Sequence, residues 1–213
     1  MTTTLVVLIS GRGSNMEAIA HACMAGRCPA RIALVVADRA DAPGLAQARA
    51  LGLACAVVPR DAHASRDAFD VALAEAVAAA SPDWVVLAGF MRLLSDAFLS
   101  RFAGRVVNIH PSLLPAFPGL ATHKRALEAG VRVHGATVHL VTPVLDSGPI
   151  LAQAAVPVLD GDDEPRLADR VLAAEHRLYP RTLAWLAEGR LRLAGARCEL
   201  QGVAAGERLL WAA

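Results

Sequence analysis

Three stretches of the chain carry side chains whose types and spacing could act on a carbonyl carbon beside a phosphorylated ligand. The first is Asn108-Ile109-His110-Pro111-Ser112-Leu113-Leu114-Pro115. Residues two apart on a strand point the same way, so Asn108 and His110 are expected to present an amide and an imidazole side by side. An amide N–H donates to an oxyanion and an imidazole carries a proton, the two tasks of acyl transfer. A strand-end histidine satisfied by backbone groups is the other reading of the same residues. The second stretch is Thr142-Pro143-Val144-Leu145-Asp146-Ser147-Gly148-Pro149. Asp146 before Ser-Gly suits a turn; near His110 its carboxylate would favour the imidazolium form. Spacing alone does not place the two together. The third is Gly11-Arg12-Gly13-Ser14-Asn15, between a strand-like and a helix-like run, where unpaired backbone N–H groups and the helix dipole favour an anion. Gly13 would let the backbone approach phosphate oxygens, while Ser14 and Asn15 add donors or cap the helix.

These residues also narrow the chemistry. A dinucleotide fingerprint requires a third glycine where Met16 stands, and a P-loop requires Gly-Lys, so a monophosphate suits the first loop better. Asp38, at the end of the second strand, could hold a ribose, which keeps a nicotinamide-dependent oxidoreductase as a rival; a non-catalytic nucleotide-binding module is another. Ser112 lacks the Gly-x-Ser-x-Gly setting of a nucleophile elbow, which favours direct transfer over an acyl-enzyme. Lys124 is the only lysine, so a Schiff base would rest on it alone. His134 and His139, five apart on a presumed strand, should face opposite sides and not share a metal ion. His123 either lines the site or sits on the surface at a helix start. Cys23, Cys28, Cys55 and Cys198 show no Cys-x-x-Cys spacing and read as inert buried thiols rather than a disulfide or zinc site.

The elements that must position these groups follow from periodicity. Leu5 to Ser10, Ile32 to Ala37, Cys55 to Val58 and Trp84 to Ala88 are unbroken apolar runs, interleaved with helical patterns at Met16 to Ala25, Leu45 to Leu51 and Arg66 to Ala80. Such alternation predicts a parallel sheet covered by helices. A short helix over Asp96 to Phe102 and a strand from Val106 to His110 follow, and Pro111 stops that strand. Beyond the proline-rich loop, a helix over Thr122 to Ala129, a strand over Val133 to Val141, an extended segment over Ile150 to Val158 and a long helix over Glu164 to Glu188 are less regular. The last residues, punctuated by Gly195, Gly202 and Gly206, suggest a small hairpin. The fold class is α/β: a Rossmann-like, doubly wound, mostly parallel sheet with helices on both faces and an antiparallel element in the second half.

At 213 residues, and roughly 150 per domain, the chain reads as a single domain, with a nucleotide-binding half over 1–105 and a catalytic half over 106–213. Hydrophobic residues at 55% against 19% charged supply a core and exclude disorder. Twenty-one Lys and Arg against 20 Asp and Glu leave a charge of +1, too small to gather a polyanion, so nucleic acid is not an expected partner. No apolar run approaches the ~20 residues of a membrane span, and the start shows no basic segment of a secretory signal. A cytoplasmic location without a membrane partner is the expectation.

The chain resembles the glycinamide ribonucleotide formyltransferases of purine biosynthesis, within the wider folate-dependent formyltransferase group. The likeness is carried by Val6 to Asn15, Leu87-Ala-Gly-Phe-Met-Arg-Leu-Leu94, Asn108 to Pro115, Leu145-Asp-Ser-Gly-Pro149 and Glu175-His-Arg-Leu-Tyr-Pro180. It implies that Gly13, Ser14 and Asn15 hold the phosphate of glycinamide ribonucleotide and Glu175 its ribose, with Leu172, Ala173 and Ala174 alongside. Relatives often carry polar residues around Leu172 and Ala174, so only backbone contacts are expected there. The implied folate pocket comprises Arg66, Met91, Arg92, Leu93, Leu94, Asn108 and the loop Thr142, Pro143, Val144, Leu145, Asp146. Apolar groups would wrap the pteridine while Arg66 and Arg92 meet the glutamate carboxylates. The resemblance further implies 10-formyltetrahydrofolate as co-substrate, no metal, and Asn108, His110 and Asp146 as the catalytic trio. It is compatible with a homodimer. A formyltetrahydrofolate deformylase is the nearest alternative activity.

Overall fold

The structure, a computed structural model, describes residues 2–194 and 197–212. Unbroken apolar runs become strands covered on both faces. In β1 (Thr3–Ile9), Leu5, Val6, Val7, Leu8 and Ile9 are all fully buried; side chains alternate across a strand, so both faces of the sheet must be packed. The chain continues through α1 (Ser14–Met24), β2 (Ala30–Ala37), α2 (Pro43–Ala50), β3 (Cys55–Val57), a short 3-10 turn at Arg60–Ala62, α3 (Arg66–Ala79), β4 (Trp84–Leu87), α4 (Asp96–Arg101) and β5 (Val106–His110). It forms two compact units, Met1–Asn108 and Ile109–Ala213.

In the first unit the strands lie in the order β5-β4-β1-β2-β3 and every pairing is parallel. The chain starts in the middle, winds to one edge and returns to wind to the other, so the order reverses between β1 and β4. Ligands of such sheets collect outside the carboxyl ends of the strands at that reversal. The loops leaving β1 and β4 are tied there: Ser10 N–H donates to the Gly89 carbonyl at 3.1 Å, and Met91 N–H donates to Ser10 Oγ at 2.9 Å. Serines set the helix starts that follow, Ser65 Oγ accepting from Ala68 N–H at 3.1 Å and Ser95 Oγ from Phe98 N–H at 3.3 Å.

The second unit contains α5 (Thr122–Glu128), β6 (Val133–Leu140), β7 (Ile150–Pro157), α6 (Glu164–Ala187), β8 (Leu191–Ala194), β9 (Arg197–Leu200) and β10 (Leu209–Trp211). The antiparallel element expected here is the β6–β7 pair, with β10 added parallel to β7. α6 packs on β6 and β7, and its buried Leu167, Val171, Ala174 and Leu178 recur at the spacing of one helical face. β8 and β9 form the expected hairpin; the turn foreseen at Gly195 lies outside the described residues. β10, three residues long, was too short to stand out as a period in the sequence. Among the described residues no helix is long and apolar enough to cross a membrane.

Polar groups fix the proline-rich loop onto β6 and β7. Thr137 Oγ1 donates to the Ser112 carbonyl at 2.7 Å and accepts from Leu114 N–H at 3.0 Å, while Gln153 Nε2 donates to the Leu114 carbonyl at 3.0 Å. The rings of Phe117 and His123 stand edge-on to buried His134, with centroids 5.9 and 5.3 Å away. Burial pushes the His134 imidazole down to about 4 from its ordinary 6.5.

Two stability predictions follow from this packing. A Cβ at Gly135 would lie 1.8 Å from the Ala154 carbonyl oxygen on the neighbouring strand, so Gly135→Ala should lower the unfolding free energy by about 3 kcal/mol, read from the urea midpoint. Between pH 6.5 and about 4 the unfolded chain binds a proton at His134 that the folded chain refuses, so stability falls as pH drops through that window. Urea titrations across it should show His134→Leu with a shallower pH dependence than the parent chain.

Candidate active site

β5 stops at His110 because Pro111 has no N–H for a ladder. The His110 side chain is only 7% exposed, and each ring nitrogen faces an oxygen: Nε2 lies 3.0 Å from the Phe117 carbonyl, and Nδ1 lies 3.4 Å from Asp146 Oδ2. A ring so placed donates to both oxygens only when both nitrogens carry protons. The second strand-end reading, a histidine satisfied by backbone, therefore describes one nitrogen and not the other.

Asp146 sits at φ +49°, the left-handed region, and its side chain is 8% exposed. It both turns the chain and aims its carboxylate inward. Oδ2 also accepts Gly119 N–H at 2.8 Å, and Oδ1 lies 3.8 Å from His139 Nε2. His139 escaped the sequence reading as a site residue. Its signal was a titratable ring in an otherwise apolar, buried strand. Its Nδ1 lies 2.9 Å from the Leu140 carbonyl, and burial holds its pKa below the ordinary value; His110 is the nearer of the two rings to Asp146. A Cβ at Gly148 would lie 1.8 Å from the Leu140 carbonyl oxygen, so a residue with no side chain keeps the 142–149 loop close to the end of β6.

Asn108 is half-buried, two residues before His110 on the same strand. Ser112 is fully buried, with its hydroxyl donating to the Ala116 carbonyl at 2.7 Å, a loop-holding role rather than that of a nucleophile. His123 is half-buried beside His134, not on the surface, and burial lowers its pKa. Among the described residues no group of three or more His, Cys, Asp or Glu side chains offers a metal site.

In the first unit, Gly13 is the residue that opens α1, at φ +77°, and no side chain caps the helix. Ser14 and Asn15 stand inside its first turn rather than at the cap position, which Gly13 occupies. Gly13 is required twice, for its left-handed backbone and because a Cβ would lie 2.9 Å from Gly44 Cα. Gly44, whose importance the sequence did not signal, donates N–H to the Gly11 carbonyl at 3.0 Å. The loop is thus braced by the start of α2.

Arg66, Met91, Arg92 and Leu93 do converge: with Arg60 and Phe69 they line one cavity of about 270 Å³. Leu94 is buried and is not part of that lining. Met91 and Leu93 hold large apolar side chains in solvent at 68% and 57% exposure. Arg92 Nε donates to Asp38 Oδ2 at 2.6 Å, and the Asp38 side chain is 1% exposed. Asp38, the basis of the nicotinamide rival, is therefore a buried anchor for Arg92 rather than an open ribose ligand. In the second unit the loop Thr142 to Asp146 exposes Val144 and Leu145, with Thr142 Oγ1 donating to the Val144 carbonyl at 3.2 Å. On α6, Leu172 is half-buried, Ala173 exposed and Ala174 buried; Glu175 is buried one turn before Tyr179, whose hydroxyl is pushed well above its ordinary pKa by burial and by the Glu175 charge.

Comparison with known proteins agrees with this geometry. Residues 3–183 match the formyl transferase family. The chain is 48% identical over 210 residues to the phosphoribosylglycinamide formyltransferase of Escherichia coli (strain K12), covering 95% of this chain and 99% of that one. It is 51% identical over 183 residues to the enzyme of the same name from Mycobacterium tuberculosis (strain ATCC 25618 / H37Rv), covering 86% and 84%. The crystal structure of glycinamide ribonucleotide transformylase 1 from Symbiobacterium toebii superposes with a TM-score of 0.92 at 51% identity, over 93% of this chain and 94% of that one. A formyltetrahydrofolate deformylase from Pseudomonas syringae is more distant, at 25% identity and a TM-score of 0.88, and this chain covers 66% of it. The chain belongs to the formyl transferase family.

Proposed function

We propose that the chain transfers the formyl group of 10-formyltetrahydrofolate to the amine of glycinamide ribonucleotide, a step of de novo purine biosynthesis. The observation that carries this reading is the buried His110–Asp146 pair at 3.4 Å, at the carboxyl end of the strand that also bears Asn108. The amine attacks the formyl carbon, and charge develops on the formyl oxygen. Asn108 N–H and protonated His110 donate to that oxygen, which stabilises the tetrahedral species more than the starting carbonyl. Asp146, 3.4 Å from Nδ1, orients the ring.

The binding roles divide between the units. Gly13, Ser14 and Asn15 receive the phosphate at the start of α1, and Glu175 with the backbone at Leu172, Ala173 and Ala174 receives the ribose. The cavity lined by Arg66, Met91, Arg92 and Leu93 takes the folate, and Leu94, Asn108 and the residues Thr142 to Asp146 are assigned to the same ligand by the family resemblance. Arg66 is the cation better placed for a glutamate carboxylate, because Arg92 already serves Asp38. The near-neutral charge of the chain supports a cytoplasmic enzyme of two small molecules, without nucleic acid or membrane as partner. A homodimer is compatible with this chemistry.

The test is an assay with both substrates in which formylated product and free formate are measured together. Product in step with folate turnover supports transfer, and formate alone would make the chain a deformylase. Asn108→Ala and His110→Ala should each lower kcat by ~10²–10³ with unchanged circular dichroism. Asp146→Asn should lose a comparable factor, because the amide places no charge opposite His110 Nδ1. An unchanged kcat would remove Asp146 from that role.

A further inference from the structure

The C-terminal turn of α1 brings together two cysteines that sequence spacing keeps apart. Gly26, at φ +70°, reverses the chain, and the backbone N–H groups of Arg27 and Cys28 donate to the Ala22 carbonyl at 2.9 and 3.2 Å. Gly26 N–H donates to the Cys23 carbonyl at 3.0 Å. This folds residue 28 back onto the last helical turn, where the Cys28 thiol hydrogen-bonds the Cys23 sulfur. Cys28 is buried and Cys23 half-buried, so solvent reaches one sulfur of the pair and not the other.

We propose that Cys23 and Cys28 form an oxidant-responsive dithiol, closing to an intrachain disulfide when a hydroperoxide reaches Cys23. The Cys23 sulfur attacks the hydroperoxide; the O–O bond breaks, sulfur gains a hydroxyl group, and the other oxygen leaves as an alcohol or water. The Cys28 sulfur then attacks the Cys23 sulfur; the S–S bond forms, the S–O bond breaks and water leaves. Two thiols lose two hydrogens and two electrons, and the hydroperoxide accepts them.

The other two cysteines lack this arrangement. Cys55 Sγ donates to the Leu53 carbonyl at 3.4 Å and Cys198 Sγ to the Ile150 carbonyl at 2.8 Å, and burial pushes both thiols up, toward the unreactive protonated form. The hydrogen bond from Cys28 instead holds the Cys23 thiol below its ordinary range, against the opposing effect of burial. The thiolate is the attacking species. The spacing is not that of a Cys-x-x-Cys motif, and the contact exists only because Gly26 allows the chain to double back.

The test treats the purified full-length protein with one equivalent of hydrogen peroxide and follows intact mass and peptide maps. The expected result is loss of two hydrogens, a Cys23–Cys28 cross-linked peptide, and recovery of the original mass with dithiothreitol. In Cys28→Ser, dimedone should trap a sulfenic acid at Cys23 about tenfold faster than at Cys55. Cys23→Ser should form no disulfide. An unchanged mass of the parent chain, a cross-link to Cys55 or Cys198, or equal dimedone labelling of Cys23 and Cys55 would overturn the proposal. The parent-chain measurement stands whether or not the serine variants fold.

Discussion

The second unit depends on one electrostatic arrangement: a carboxylate and an imidazole, each about nine-tenths buried, held 3.4 Å apart. Burying such a pair costs desolvation that its mutual attraction only partly offsets, so it is a poor device for stability. What the surrounding chain does is hold it in place. Gly119 N–H satisfies the same carboxylate oxygen that faces His110, Asp146 takes up a left-handed backbone, and Gly148 lets the loop return close to Leu140. A pair that contributes little to folding and is nonetheless fixed from several sides points to chemistry.

Five histidines lie in this unit, and the settings of four of them, His110, His123, His134 and His139, differ in a way that singles out one. His123, His134 and His139 lie with their pKa values below the ordinary range, desolvation being the largest cause in each. Neighbouring imidazoles add to this, because a charge on any one ring disfavours a charge on the next. His110 and His139 each have an oxygen opposite both ring nitrogens, one of them an Asp146 oxygen, but that carboxylate lies 3.4 Å from His110 and 3.8 Å from His139. The shorter carboxylate contact therefore falls to the ring at the strand end.

The periodicity made the first unit readable, since parallel strands such as β1, buried on both faces, leave unbroken apolar runs. The candidate trio was legible as residue types, but not as a contact: His110 and Asp146 are remote in sequence, and only the fold of the 142–149 loop brings them together. Gly44 and His139 were illegible for a related reason. Each matters through what approaches it from another element, Gly13 in one case and Asp146 in the other. Asp38 shows the converse error, in which a strand-end acid that fits a ribose-binding pattern is instead enclosed with an arginine fifty-four residues later.

The Asp38–Arg92 pair has a further consequence for how the first unit presents its cavity. Arg92 lies between Met91 and Leu93, both large, apolar and more than half exposed. Exposed apolar side chains of this size on a loop would ordinarily fold inward. Anchoring the intervening arginine to a buried carboxylate, and the preceding amide of Met91 to Ser10 Oγ, fixes the backbone so that its neighbours stay outside, beside a cavity also lined by Phe69 and two further arginines. An apolar rim beside fixed cations suits a ligand with a flat apolar body and an anionic tail. The same ion pair that removes the nicotinamide reading thus prepares the surface that the folate reading requires.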